Sequence, residues 1–184
     1  MIAWGLILSV PLLAYGILLA GSPAKARAFN QWFETSRQVA AVLTVVAWFW
    51  TAYELDTIGI DVFDAILKRF TGEVWFLAAL LSYLTYIWMP KNLSVRALTA
   101  LLMLFPASLF RTTRLLLPES GAGIVHVFIV FAYIAAVVGM YGMFYPWRLE
   151  KGLAIFEKTD ARARTFAAVL LAAGAALFVS GFLI

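Results

Sequence analysis

Cysteine is absent from this chain. That excludes disulfides, thiolate metal centres, iron–sulfur ligation and cysteine nucleophiles. Histidine occurs once, as His126, so a single copy builds neither a bis-histidine haem site nor a histidine-rich metal centre. Charge is scarce as well. Only 13% of residues are Asp, Glu, Lys or Arg, against about 25% in ordinary soluble domains. There is no glycine-rich phosphate loop, no His-Glu-x-x-His and no Gly-x-Ser-x-Gly. No lysine sits within an apolar run where it would serve as a Schiff base. Ser108 or Ser120 with His126 makes a Ser/His pairing, but eight serines produce one by coincidence. The expectation is therefore no catalytic residue set, no metal and no cofactor.

What the chain does have is apolar surface. Of its 184 residues 64% are hydrophobic, and the mean hydropathy is +0.93. A water-soluble chain of this length has too much surface to hide that material. The net charge is +4, yet the basic residues fall in short connectors rather than in a stripe, so no nucleic-acid partner is expected. Lipid is the solvent that suits the composition.

A spanning helix needs about 20 mostly apolar residues. Six segments qualify, at Ile2–Ala20, Gln38–Leu55, Glu73–Met89, Ser94–Leu116, Ala122–Tyr145 and Thr165–Ile184. They predict an all-α integral membrane protein, one transmembrane helical domain over 1–184. The first segment reads as a retained helix because it has no positive charge before Lys25. With the N-terminus outside, ten of the 14 Lys and Arg fall in inner connectors and four in outer ones. The positive-inside pattern then places both termini on the outer side of a membrane, as in a multi-pass protein of the bacterial inner membrane. Trp32, Trp88 and Trp147 map to the inner interface, and Trp4, Trp48, Trp50 and Trp75 to the outer one.

Two connectors carry structure of their own. Ile60, Phe63, Ile66, Leu67 and Phe70 recur at helical spacing, which predicts a short interfacial helix near 58–70. The inner connector from Arg148 to Arg164 reads as helical extension plus turn. In the last span Ala168, Ala172, Ala176 and Ser180 form a small-residue ladder that suits close helix packing, either within the chain or in a homo-oligomer. Ala132, Ala135, Ala136 and Gly139 give the fifth span a similar flat surface.

Polar residues near the outer ends of the spans need a reason. Between Arg37 and Glu54 lie 16 uncharged residues, only ~24 Å of helix. Glu54 and Asp56 are thus drawn to the outer boundary of the lipid. The fourth span reaches full length only by running through Arg111 and Arg114 to the turn at Glu119. His126 lies one turn into the fifth span. Glu54, Asp56, Arg111, Arg114, Glu119 and His126 are thereby expected to share one outer-leaflet layer. That layer is either a buried ion-pair network or a ligand site in which two guanidiniums grip a phosphate or carboxylate.

The six-span layout resembles that of the acid-gated urea and amide channels, but their Asn-Gly and Phe-Gly-x-Thr-Tyr segments are missing here. The size is similar to that of the vitamin-binding components of energy-coupling transporters, which usually have both ends inside. Neither likeness carries a function across. With nearly all mass in lipid and no catalytic motif, the favoured reading is a non-catalytic subunit or scaffold of a membrane complex, whose partners are the bilayer and other membrane subunits. A small channel, carrier or ligand-binding transporter component, and a membrane enzyme acting on a lipid-borne substrate, are the alternatives.

Overall fold

The computed structural model describes residues 2–57, 71–89, 91–116 and 122–183. Among these residues the α-helices are α1 (Ile2–Gly21), α2 (Pro23–Thr35), α3 (Arg37–Thr57), α4 (Thr71–Trp88), α5 (Leu93–Leu116), α6 (Ala122–Phe144), α7 (Pro146–Glu157) and α8 (Asp160–Leu183). No strand occurs among the described residues, so the expected all-helical architecture holds. Five helical stretches are long and apolar enough to cross a membrane: Ile2–Gly21, Arg37–Thr57, Leu93–Arg111, Val125–Phe144 and Asp160–Leu183. These make the chain a multi-pass membrane protein. Glu73–Trp88 is apolar but shorter. The interfacial helix expected near 58–70 lies outside the described residues.

Burial runs opposite to that of a soluble protein. The buried apolar residues are dominated by alanines, among them Ala40, Ala47, Ala78, Ala97, Ala132 and Ala167, while Phe76 and Trp88 stand 72% and 76% exposed. Lipid tails are as apolar as leucine, so large side chains gain nothing by turning inward. Small residues at the contacts let backbones approach, and dispersion holds them there.

Contacts divide the chain into two compact units. The first comprises Met1–Trp32, Leu109–Ile134 and Trp147–Ile184, and the second Phe33–Ser108 and Ala135–Pro146. In the first unit α1 packs along α8 through glycines. A Cβ on Gly5 would stand 2.9 Å from the Gly181 Cα, one on Gly174 would meet Leu13, and one on Gly16 would meet Leu171. As numbers rise along one helix they fall along the other, so the two are antiparallel. Residues near the two ends of the chain therefore lie at the same end of this pair.

The sequence missed α2. Ser22-Pro23 begins it, with proline at the first helical position where its missing N–H costs nothing. Ala26, Arg27 and Asn30 share one face and turn inward, whereas Phe29 and Trp32 are exposed. The connector read as helical extension plus turn resolves into α7 and a turn at Lys158-Thr159. Helix α8 starts at Asp160 rather than at Thr165. Thr159 caps it, its Oγ1 accepting the Arg162 N–H at 3.4 Å.

In the second unit Trp48 of α3 donates from Nε1 to Thr85 of α4 at 3.0 Å, and the rings of Phe49 and Trp75 meet at 5.9 Å. Gly139 of α6 lies against the α5 backbone, where a Cβ would be 2.7 Å from the Thr99 oxygen and 2.8 Å from the Met103 nitrogen. Asn92 turns the chain into α5 with φ of 54°, a left-handed conformation that asparagine tolerates better than most residues.

Candidate functional site

Two buried carboxylates organise the polar interior, one in each unit. In the second unit Glu54 is 3% exposed, near the C-terminal end of α3. The Ser108 hydroxyl of α5 donates to its Oε1. Trp50, one turn earlier in α3, presents its indole N–H at 3.1 Å to both Glu54 Oε1 and Ser108 Oγ. The i,i+4 spacing of Trp50 and Glu54 makes that contact within one helix, and Ser108 ties it to a second. Trp48 and Trp50 both have hydrogen-bond partners within the unit.

In the first unit Glu157 is 7% exposed, at the last position of α7. Its Oε1 accepts the Tyr15 hydroxyl of α1 at 2.7 Å and the Asn30 amide of α2 at 2.5 Å. Asn30 Nδ2 also donates to the Tyr15 oxygen at 2.7 Å. Two amide hydrogens and one phenol hydrogen close a triangle in which none is left over. Arg27 Nη1 donates to the Glu157 carbonyl at 2.7 Å, satisfying a helix-end acceptor and placing positive charge at the negative end of the α7 dipole. Its other nitrogen lies 3.7 Å from Asp160, an exposed pair that contributes little. Beside this knot Leu19, Ala26, Ala163 and Ala167 form a fully buried cluster.

The knot therefore fastens α1 and α2 to the end of α7, and the apolar cluster joins α8 to α1 and α2. Chemically, both carboxylates are held by neutral donors, with Ser108 reaching Glu54 from α5 and Tyr15 and Asn30 reaching Glu157 from α1 and α2. Ser108 gives its hydrogen to a carboxylate, which anchors the hydroxyl as a strut between α3 and α5.

Of the residues singled out from the sequence, Glu54 is buried, Arg111 half-buried, and Asp56 and His126 exposed. The Arg114 side chain and Glu119 lie outside the described residues. Glu54 is brought together with Trp50 and Ser108, neither of which stood in the expected layer. Tyr15, Asn30 and Glu157 went unnoticed. A signal for α2 was present, since Ala26, Arg27, Asn30 and Phe33 recur at helical spacing after a serine–proline start. Nothing local to any of the three residues announces that Glu157 meets a tyrosine in the first helix.

The second unit also contains a cleft of about 510 Å³ between α3, α4, α5 and the last turn of α6, with Arg96 on its wall. Among the described residues no three His, Cys, Asp or Glu side chains cluster as a metal site would require. No protein-family model, no curated protein and no solved structure matches the chain.

Proposed function

We propose that this chain is a non-catalytic subunit or scaffold of a membrane complex, crossing the bacterial inner membrane six times with both termini outside. The observation that carries the reading is the way the two buried carboxylates are held. Glu54 and Glu157 each accept two hydrogen bonds from neutral side chains, one of the two donors to Glu54 and both donors to Glu157 coming from other helices. Such groups fix helices in place, as fully satisfied polar networks do. The sixth crossing is α4, whose 18 residues extend ~27 Å and whose first turn holds the acidic Glu73. Antiparallel packing of α1 on α8 supports an even number of crossings, because it keeps the two chain ends together.

Affinity purification of the tagged chain from membranes in a mild detergent tests the proposal. The expected result is one or more other membrane proteins at fixed stoichiometry, retained through size-exclusion chromatography. A monodisperse particle of this chain alone that moves a solute into liposomes would overturn it.

A further inference from the structure

The cleft in the second unit has a composition and a charged end that together select a ligand. Its volume, about 510 Å³, falls within the ~300–1,000 Å³ usual for small-molecule sites. Polar side chains on its wall direct their hydrogens back into the protein. Thr44 and Thr51 donate to the carbonyls of Ala40 and Ala47 at 2.7 and 2.8 Å, and Thr85 to that of Leu81 at 2.7 Å. The Trp48 N–H is taken by Thr85. The threonines are therefore left to present methyl groups, and a polar solute would find little to replace its water. Three of the five methionines, Met89, Met103 and Met143, complete the wall. Their flexible thioethers fit an occupant of variable shape.

Charge is confined to one end. Arg96 donates one hydrogen bond, from Nη1 to the Met143 carbonyl at 3.2 Å, and among the described residues no carboxylate pairs with it. Ser94 Oγ donates to the Glu34 carbonyl at 3.3 Å, which brings the start of α5 beside the chain entering α3. Near it in the chain, Arg37 at the start of α3 and Lys91 just before α5 are exposed, as is Glu34.

We propose that the cleft binds one acyl chain of an anionic phospholipid, with the headgroup phosphate on the Arg96 guanidinium. A guanidinium fork matches phosphate geometry, and the apolar walls match the chain. This site stands independently of the scaffold reading, which concerns protein partners.

Native mass spectrometry of the purified full chain decides it, with palmitoyl-oleoyl phosphatidylglycerol and the matching phosphatidylcholine as competing probes. One phosphatidylglycerol is expected to remain bound in preference. Arg96→Gln should lower that preference about fivefold, the effect of one basic residue at an anionic surface, while Arg96→Lys retains it. Ala100→Phe and Met103→Trp, which fill the cleft, should abolish retention of either lipid, with the thermal midpoint reporting that each variant is folded. Equal binding of the two lipids by the native chain, an unchanged preference in Arg96→Gln, or retained lipid in a folded cleft-filling variant would overturn the proposal. A change of oligomeric state in those variants, with lipid retention intact, would mark the cleft as a protein contact and overturn it too.

Discussion

Tyr15, Asn30 and Glu157 form the tightest polar arrangement described, and its three hydrogen bonds depend on one another. Removing the Tyr15 hydroxyl takes a donor from the carboxylate and an acceptor from the amide at once. Tyr15→Phe is therefore expected to destabilise the protein by about 1–3 kcal/mol, the cost of leaving a buried polar group without its partner. Asn30→Ala breaks two of the three bonds and should cost at least as much. Because the residues share one network, the double variant should show a coupling of roughly 0.5–3 kcal/mol. Thermal unfolding of the four proteins in one detergent measures it; additive losses would mean the triangle does not act as a unit. Glu54 became legible at this scale for a simple reason: a carboxylate at the end of a short apolar run has to be explained. Glu157 did not, because it sits in a connector where charge is ordinary. Only its burial between helices distant in sequence makes it unusual.

At the scale of the helix, glycine separates tight contacts from open ones. A Cβ at Gly139 would press on backbone atoms of Thr99 and Met103, neither of which swings aside, whereas one at Gly152 has nothing within 4 Å. Gly139→Ala should thus lose about 1–3 kcal/mol by overpacking. Gly152→Ala, inside α7, should gain about 0.5–1 kcal/mol from helix propensity alone. The opposite signs in a single unfolding assay are the check, and a matching sign would contradict the α5–α6 packing. Most helices were readable from apolar run length, since a spanning helix must be long and continuous to satisfy its own backbone. Boundaries were less so. The start of α8 depends on a threonine cap among charged residues, and α2 on an amphipathic spacing too polar to register as a span. Of the small-residue ladder, Ser180 is buried within the chain, while Ala168, Ala172 and Ala176 are exposed. The face that meets α1 runs instead through Ala167, Gly174 and Gly181.

For the molecule as a whole, the antiparallel pairing of α1 with α8 makes a claim about sidedness. A chain without cysteine accepts a single thiol as a unique label. Ile2→Cys and Leu183→Cys, both at exposed positions, should react alike with a membrane-impermeant maleimide added outside intact spheroplasts. Labelling of one and protection of the other would contradict the pairing, and protection of both until lysis would place the termini inside. Connector charge and composition were enough to propose that orientation, because lysine and arginine bias insertion directly. The partner of each helix was not readable from them, since lipid-facing and helix-facing apolar residues differ in size more than in polarity. The same pairing also bears on how the protein is made. Helix α1 leaves the ribosome well before α8, so it waits in the bilayer for its main neighbour. At roughly 5–20 residues per second, that wait is on the order of ten to thirty seconds. Until then the Gly5 face is open to any other helix in the membrane, and a chain that stalls before α8 offers membrane proteases an undocked first helix.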